Sequence, residues 1–286
     1  MLNLHKEEVF GGLMKKFYSL FFCGIVSCFA LNQTGRLDYN GLFTIMGHYK
    51  KVSGKWHRGH LFEHSVWTAK AMDQMFENNS WWLKGIDSSE RRLMVLAAFM
   101  HDIGKAGDLQ FEYGTKINHP RVGFEYIMGR RPFYVSEGET WDIQEWIKHH
   151  KLTEDEIKTL AVLVGMHQEF GKVLFAFKKS PEHWSKVREK FFDDLLYYVQ
   201  ESGYNGGIPD ERIIIMSAAI CRADGEALYR VDYERSTFPE LPNLAETREG
   251  HRPVPVALVD AFGIPFFFYS LLPYCLQRVK DLVKAP

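Results

Sequence analysis

Residues 91–108 read RRLMVLAAFMHDIGKAGD, and this stretch decides the fold class. Every residue from Leu93 to Met100 is apolar, which predicts a helix that is buried on nearly all sides at the centre of a core. His101 and Asp102 follow directly and emerge from that core. An ionised carboxylate buried without a cationic partner costs several kcal/mol of desolvation, so Asp102 requires such a partner.

Helical periodicity continues on both sides of this stretch. Apolar residues recur at helical spacing in three further segments, residues 61–76, 156–170 and 212–228. Thr153 and Glu156 form a predicted capping box at the start of the second of these segments. Because the chain contains no internal repeat and no low-complexity linker, the sequence predicts an all-α fold with a single globular domain.

Composition narrows the functional classes. The 286 residues are 46% hydrophobic and 15% aromatic, which supplies a packed core and excludes disordered, collagen-like and small disulfide-scaffold proteins. The 35 Lys and Arg residues nearly balance the 36 Asp and Glu residues, so we expect no general nucleic-acid binding. The four cysteines contain no CxxC pair, and any bound metal is therefore expected to take His and carboxylate ligands.

The apolar stretch at residues 17–31 leaves two interpretations of the N-terminal segment, residues 1–33. A transmembrane helix needs roughly 20 residues, so this stretch predicts no stable membrane span. The favoured interpretation is a helix buried in the fold of a cytoplasmic protein. The alternative is a secretory signal that begins at Met14 and is cleaved near Ala30, which would make the protein an exported one.

Ionisable residues stand at the edge of an apolar stripe in four predicted helices. They are His64, His101 with Asp102, His167 and Asp224. A single buried His is usually a hydrogen-bonded core residue, but a set of this size has one economical explanation, a bound divalent metal. Imidazole suits Fe, Mn, Ni, Co and Zn, while carboxylates bridge ions and neutralise their charge.

The run AAFMHDIGKAGD at residues 97–108 resembles the HD-domain superfamily of metal-dependent phosphohydrolases. Members share an all-α fold and the ordered pattern H…HD…D, which matches His64, His101, Asp102 and Asp224. The resemblance implies an HD-domain helical bundle over residues 34–230, followed by a C-terminal extension at residues 231–286 that packs on the domain.

Two further histidines match the subset of the superfamily that binds two metal ions. His119 in NHPRVGFEYI stands where those proteins place a histidine that opens the next helix, and His167 in AVLVGMHQEFG stands where they carry one on the following long helix. The resemblance therefore implies two divalent transition-metal ions, drawn from Mn, Fe, Ni, Co and Zn. The first is expected at His64, His101, Asp102 and Asp224, and the second at His119 and His167, with Asp102 bridging.

The resemblance implies hydrolysis of a phosphate ester of a nucleotide or another small phosphorylated metabolite. A hydroxide that bridges two ions roughly 3.5 to 4 Å apart would attack the phosphorus in line, which makes Asp102 a catalytic residue. Lys105 is expected to bind a substrate phosphate and assist catalysis, or alternatively to act as a cation at a helix C-terminus. His60, four residues before His64 on the same helical face, and Arg121 are further candidates for contacts with the phosphate.

Two other functions stay open. The superfamily also includes di-iron oxygenases that cleave C–C or C–P bonds with O₂ and use the same six-ligand order H…HD…H…H…D, and iron accepts the same ligands as manganese. A non-catalytic HD-fold binding module is the third candidate. Retention of all six ligand positions disfavours that module, because the loss of one ligand would leave a buried charge uncompensated.

Overall fold

Helices form nearly all of the structure. The computed structural model describes residues 61–78, 80–106, 118–131, 134–136, 139–140, 143–177, 180–229 and 264–284. The prediction of an all-α fold is confirmed, with one short hairpin as the exception. The N-terminal segment 1–33 and His60 lie outside the described residues. Within those residues, no helix combines the length and apolar character needed to cross a membrane.

The helices of the described residues follow one another along the chain as α1 (Leu61–Glu77), α2 (Ser88–Met100), α3 (Ile103–Ala106), α4 (His119–Ile127), α5 (Ile143–His149), α6 (Glu154–Met166), α7 (Glu169–Phe177), α8 (Pro181–Ser202), α9 (Glu211–Tyr229), α10 (Ile264–Phe266) and α11 (Leu272–Lys284). Short 3-10 helices occupy Trp81–Leu83 and Tyr204–Gly207, and a π-helical turn at Phe267–Leu271 joins α10 to α11. Strands β1 (Tyr134–Ser136) and β2 (Glu139–Thr140) pair antiparallel, with Tyr134 opposite Thr140.

Side-chain caps define where the two central helices begin. Asp87 accepts a hydrogen bond from the backbone N–H of Glu90, and the Glu90 carboxylate accepts one from the N–H of Asp87 at 2.9 Å. Thr153 and Glu156 make the same reciprocal pair in front of α6, so the predicted capping box is confirmed. Each cap satisfies backbone donors that the first helical turn leaves unbonded, and contributes about 1 kcal/mol.

The core lies where α2 meets its neighbours. Every residue from Leu93 to Met100 is buried, which confirms the prediction of a central buried helix. Helix α2 packs against α1 and α6, and α9 packs against α1, α2 and α6. The buried face of α6, Leu160 to Met166, contains Gly165, which lets the ring of Tyr198 on α8 lie directly over the backbone. Helices α1, α2, α6 and α9 form the frame that carries the site.

Helix α8 was not predicted, although the sequence contains its end signals. Ser180 accepts a hydrogen bond from the N–H of His183 at 3.2 Å, and Pro181 stands in the first turn, where its missing N–H costs nothing. Gly203 ends the helix at φ 72°, a left-handed conformation that favours glycine. The 22 residues between these signals make α8 the longest helix in the described part of the chain.

Residues 264–284 contact α7 and α8 through aromatic side chains. The rings of Phe267 and Phe170 meet edge to face with 5.3 Å between their centroids. The guanidinium of Arg278 on α11 lies 5.0 Å from the ring centroid of Phe192 on α8. The division of the chain into an HD domain at residues 34–230 and an extension at 231–286 stays a prediction.

Candidate metal centre

Helices α1, α4, α6 and α9, together with the turn between α2 and α3, bring six ionisable side chains to one buried place. They are His64 of α1, His101 and Asp102 of the turn, His119 at the start of α4, His167 at the end of α6 and Asp224 of α9. His64, His101, Asp102 and His167 are at most 1% exposed. The structure therefore brings together the six residues that the sequence predicted as metal ligands.

His64, His101 and Asp224 form the first group of donor atoms. The Nε2 atom of His64 lies 2.9 Å from Oδ1 of Asp224 and 3.2 Å from Nε2 of His101. Nε2 of His101 lies 3.5 Å from the same Asp224 oxygen. Three donor atoms from three elements thus lie within 3.5 Å of one another, although His64 and Asp224 are 160 residues apart in sequence.

His119, His167 and Asp102 form the second group. Oδ1 of Asp102 lies 3.0 Å from Nε2 of His119 and 3.5 Å from Nε2 of His167. The two histidine nitrogens are 3.3 Å apart. This group is as compact as the first, and the side chain of His119 is its most exposed member, at 12%.

Asp102 lies between the two groups. Its Oδ1 atom faces His119 and His167, whereas its Oδ2 atom lies 3.4 Å from Nε2 of His101 and 3.9 Å from Nε2 of His64. The Nζ atom of Lys105 donates a hydrogen bond to Oδ2 at 2.6 Å. A single carboxylate therefore presents one oxygen to each group of histidines.

Backbone carbonyls fix the tautomers of two of the histidines. The Nδ1 atom of His101 lies 2.7 Å from the carbonyl oxygen of Ala98, and that of His167 lies 2.7 Å from the carbonyl oxygen of Val164. A carbonyl only accepts hydrogen bonds, so each Nδ1 carries the proton. Each Nε2 atom therefore points into the cluster, and it is the atom through which these imidazoles would coordinate a metal ion.

Burial and charge shift the pKa values of the site residues in opposite directions. Burial lowers the pKa of His64, and it lowers the pKa of His119 to about 4. Burial also acts to lower the pKa of His101, but Asp102 and Asp224 outweigh it and raise that pKa to about 10. Burial acts to raise the pKa of Asp224, yet His101 and His64 hold it well below its usual value. The carboxylates thus create a field at the centre of the cluster that attracts positive charge.

The donor set fits a divalent cation. Nε2 of His101 and Nε2 of His167 lie 3.4 and 3.5 Å from carboxylate oxygens of Asp102, so imidazole and carboxylate donor atoms face a common space. A divalent cation in that space would be coordinated by both kinds of donor atom. Mixed imidazole and carboxylate ligands suit the divalent ions of Mn, Fe, Co, Ni and Zn. The cluster could therefore hold a metal ion.

The predicted phosphate contacts have different positions. Lys105 lies at the cluster through its ion pair with Asp102. The structure does not bring Arg121 there, since its guanidinium pairs with Glu125 at 3.2 Å and lies 5.5 Å from the ring centroid of Tyr197. Two residues along a helix correspond to about 200° of rotation, so Arg121 lies on the face of α4 opposite to the first residue of that helix. A phosphate contact by Arg121 stays a prediction.

One glycine determines where His119 lies. A Cβ atom on Gly104 of α3 would lie far inside 3.0 Å of the carbonyl oxygen of His119, and 2.8 Å from the backbone N of Gly123. Both neighbours are backbone atoms of α4 and cannot rotate away. The absence of a side chain at Gly104 therefore allows α4 to begin against the turn that carries Asp102.

One residue at the cluster was not predicted. The side-chain amide of Gln168 lies 3.1 Å from Nε2 of His119. The sequence predicted an uninterrupted helix over residues 156–170, and this was wrong at its C-terminal end, because α6 ends at Met166 and α7 begins at Glu169. Gln168 lies in this interruption together with His167, and helical periodicity gave no signal for its position at the cluster.

Residues 61–168 match the protein family described as HD domain. The matched range contains five of the six clustered residues, His64, His101, Asp102, His119 and His167. Asp224 lies beyond the matched range, and helix α9 brings it to the cluster. No curated protein and no solved structure matches the chain.

Proposed function

We propose that this chain, whose residues 61–168 match the HD domain, a domain typical of metal-dependent hydrolases, hydrolyses a phosphate ester of a nucleotide or another small phosphorylated metabolite. The observation that carries the proposal is the position of Asp102, whose two carboxylate oxygens face two separate groups of donor atoms. Two groups of imidazoles with one carboxylate between them could hold the two ions that a dinuclear hydrolytic centre requires.

The arrangement of donors supports two ions rather than one. His64, His101 and Asp224, with Oδ2 of Asp102, would hold the first ion, and His119 and His167, with Oδ1 of Asp102, would hold the second. When bound, two such ions lower the pKa of a water molecule towards about 7 and neutralise charge on the phosphoryl oxygens.

The chain's own residues would orient the reaction. The carbonyls of Ala98 and Val164 hold the rings of His101 and His167 by their Nδ1–H groups, so these imidazoles cannot rotate away from the centre. Lys105 has its ammonium group at the edge of the cluster, with a side chain that is 13% exposed. From there the ammonium group can bind a phosphoryl oxygen of the substrate while it remains close to Asp102. Its positive charge would then face the negative charges of the phosphoryl group and of the Asp102 carboxylate.

Hydrolysis is expected to proceed without dioxygen. The purified full-length protein, loaded with Mn²⁺ under strict anaerobiosis, should release phosphate from members of a panel of nucleotides and sugar phosphates, because water is the only co-substrate of hydrolysis. Phosphate release and O₂ consumption are measured on the same preparation. Turnover that requires iron and consumes O₂ would contradict hydrolysis and select the oxygenase chemistry instead.

The number of bound ions should depend on the second group. His119→Ala and His167→Ala are each expected to reduce the Mn²⁺ content from about two ions per chain to about one, because each variant removes an imidazole from one group only. Elemental analysis after dialysis against Mn²⁺ measures the content. His183→Ala, at an exposed position in the first turn of α8, is the matched control. An unchanged content in both site variants would place His119 and His167 outside the metal centre.

A further inference from the structure

Nε2 of His119 has three polar neighbours. Oδ1 of Asp102 lies at 3.0 Å, Nε2 of His167 at 3.3 Å and the side-chain amide of Gln168 at 3.1 Å. Asp102 and His167 are the other members of the second group, so Gln168 approaches that group at His119.

The interruption between α6 and α7 allows two consecutive residues to reach the same atom. Side chains of consecutive residues in a continuous helix diverge by about 100°, so they do not face one partner. His167 and Gln168 occupy the two positions between the end of α6 at Met166 and the start of α7 at Glu169, and both contact His119. The helical hydrogen-bonding pattern is thus interrupted at the two residues whose side chains both contact His119.

The terminal amide of Gln168 can present either its nitrogen or its oxygen to His119. In the structure the amide nitrogen lies 3.1 Å from Nε2 of His119. A half-turn of the terminal amide exchanges its nitrogen for its oxygen without moving the rest of the side chain. After that half-turn the amide oxygen takes the place beside Nε2 of His119, where it joins the donor atoms of the second group.

We propose that the side-chain amide oxygen of Gln168 is a ligand of the second metal ion, together with His119, His167 and Oδ1 of Asp102. The inference rests on the proposed dinuclear function and adds a fourth protein donor to the second group. The first group already has four donors, if Oδ2 of Asp102 is counted with His64, His101 and Asp224. Gln168 makes the two groups equal in the number of protein donors.

An uncharged ligand suits this position. The centre already contains Asp102 and Asp224, and a third carboxylate in a largely buried cluster would add a further desolvation penalty. An amide oxygen supplies a lone pair for the cation at a lower penalty, and amide carbonyls are established ligands of divalent ions. Gln168 therefore increases the number of donors without changing the net charge of the protein ligands.

Titration of the metal-stripped, full-length protein with Mn²⁺ tests this inference. The number of bound ions and their dissociation constants are measured by calorimetry and by electron paramagnetic resonance of free Mn²⁺. The wild type is expected to bind two ions. Gln168→Ala should leave the first dissociation constant unchanged and raise the second by about 10- to 100-fold. Gln277→Ala removes an exposed glutamine of α11, whose amide donates a hydrogen bond to Asp281 at 2.8 Å, and should change neither constant.

Gln168→Glu separates a ligand from a residue that only holds His119 by a hydrogen bond. An ionised Glu keeps the oxygen donors but loses the N–H donor, so the second ion should bind at least as tightly as in the wild type. Weaker binding of the second ion to Gln168→Glu, or wild-type binding of both ions to Gln168→Ala, would overturn the inference and leave the proposed function standing. A wild type that binds one ion overturns it as well, and a wild type that binds none contradicts the proposed function too.

Discussion

Asp102→Asn is expected to abolish both metal binding and hydrolysis. The substitution preserves the volume of the side chain, but it removes the charge that faces both groups of histidines and the 2.6 Å ion pair with Lys105. Metal ions contribute several kcal/mol to the stabilisation of a transition state, and each 1.36 kcal/mol is a factor of ten in rate. The rate of phosphate release should therefore fall by about 1,000-fold or more.

The increase in the free energy of unfolding that bound Mn²⁺ causes reports the loss of metal binding independently of activity. At a Mn²⁺ concentration of about 100 times the dissociation constant, each bound ion stabilises the wild-type fold by about 2.7 kcal/mol, whereas Asp102→Asn should gain no stability from the same addition. Thermal unfolding with and without Mn²⁺ detects this difference. Asp155→Asn, in the exposed first turn of α6, is the matched control and should behave as the wild type. A variant at Asp102 that kept its metal response and its activity would contradict the site.

Gly104→Ala is expected to disturb the site without altering any proposed ligand. The new Cβ would overlap the backbone of His119 and lie 2.8 Å from the backbone N of Gly123, so α3 and α4 must separate. Overpacking of this kind costs about 1 to 3 kcal/mol of folding free energy, and occasionally more. The separation also displaces His119, and a displacement of about 1 Å at an active site can lower the rate about 100-fold.

Denaturant unfolding and phosphate release together test the role of Gly104. Gly85→Ala is the control, because a Cβ at that glycine would meet nothing within 4 Å and should be nearly neutral. Mn²⁺ titration adds a specific readout, since the first ion should still bind to His64, His101 and Asp224 while the second binds more weakly. If Gly104→Ala had the stability and activity of Gly85→Ala, the close approach of α3 and α4 would not determine the position of His119.

The sequence predicted the central part of the fold because burial leaves a strong signal there. The residues from Leu93 to Met100 are apolar on every face, so they must lie inside the core, and α2 is the helix that contains them. Residues 61–76 and 212–228 show the same kind of periodicity and correspond to α1 (Leu61–Glu77) and α9 (Glu211–Tyr229). The ends of α1 and α9 differ from the predicted ends by only one residue.

Contacts between segments that are distant in sequence leave a weaker signal in the sequence than burial does. The pairing of His64 with Asp224 across 160 residues follows from how α1 packs against α9, which local periodicity does not specify. The position of Gln168 depends on the interruption between α6 and α7, where apolar residues continue on both sides. Arg121 was a candidate only because it follows His119 closely in sequence, and helix geometry turns it towards Glu125 instead.

Anomalous diffraction from crystals of the full-length protein grown with Mn²⁺ tests the central claim most directly. The claim is that the His/Asp cluster is a metal centre organised by Asp102. The anomalous map should contain two peaks on either side of the Asp102 carboxylate, one among His64, His101 and Asp224 and the other beside His119 and His167. A map without a peak in this cluster, at a Mn²⁺ concentration that supports hydrolysis, would contradict the claim.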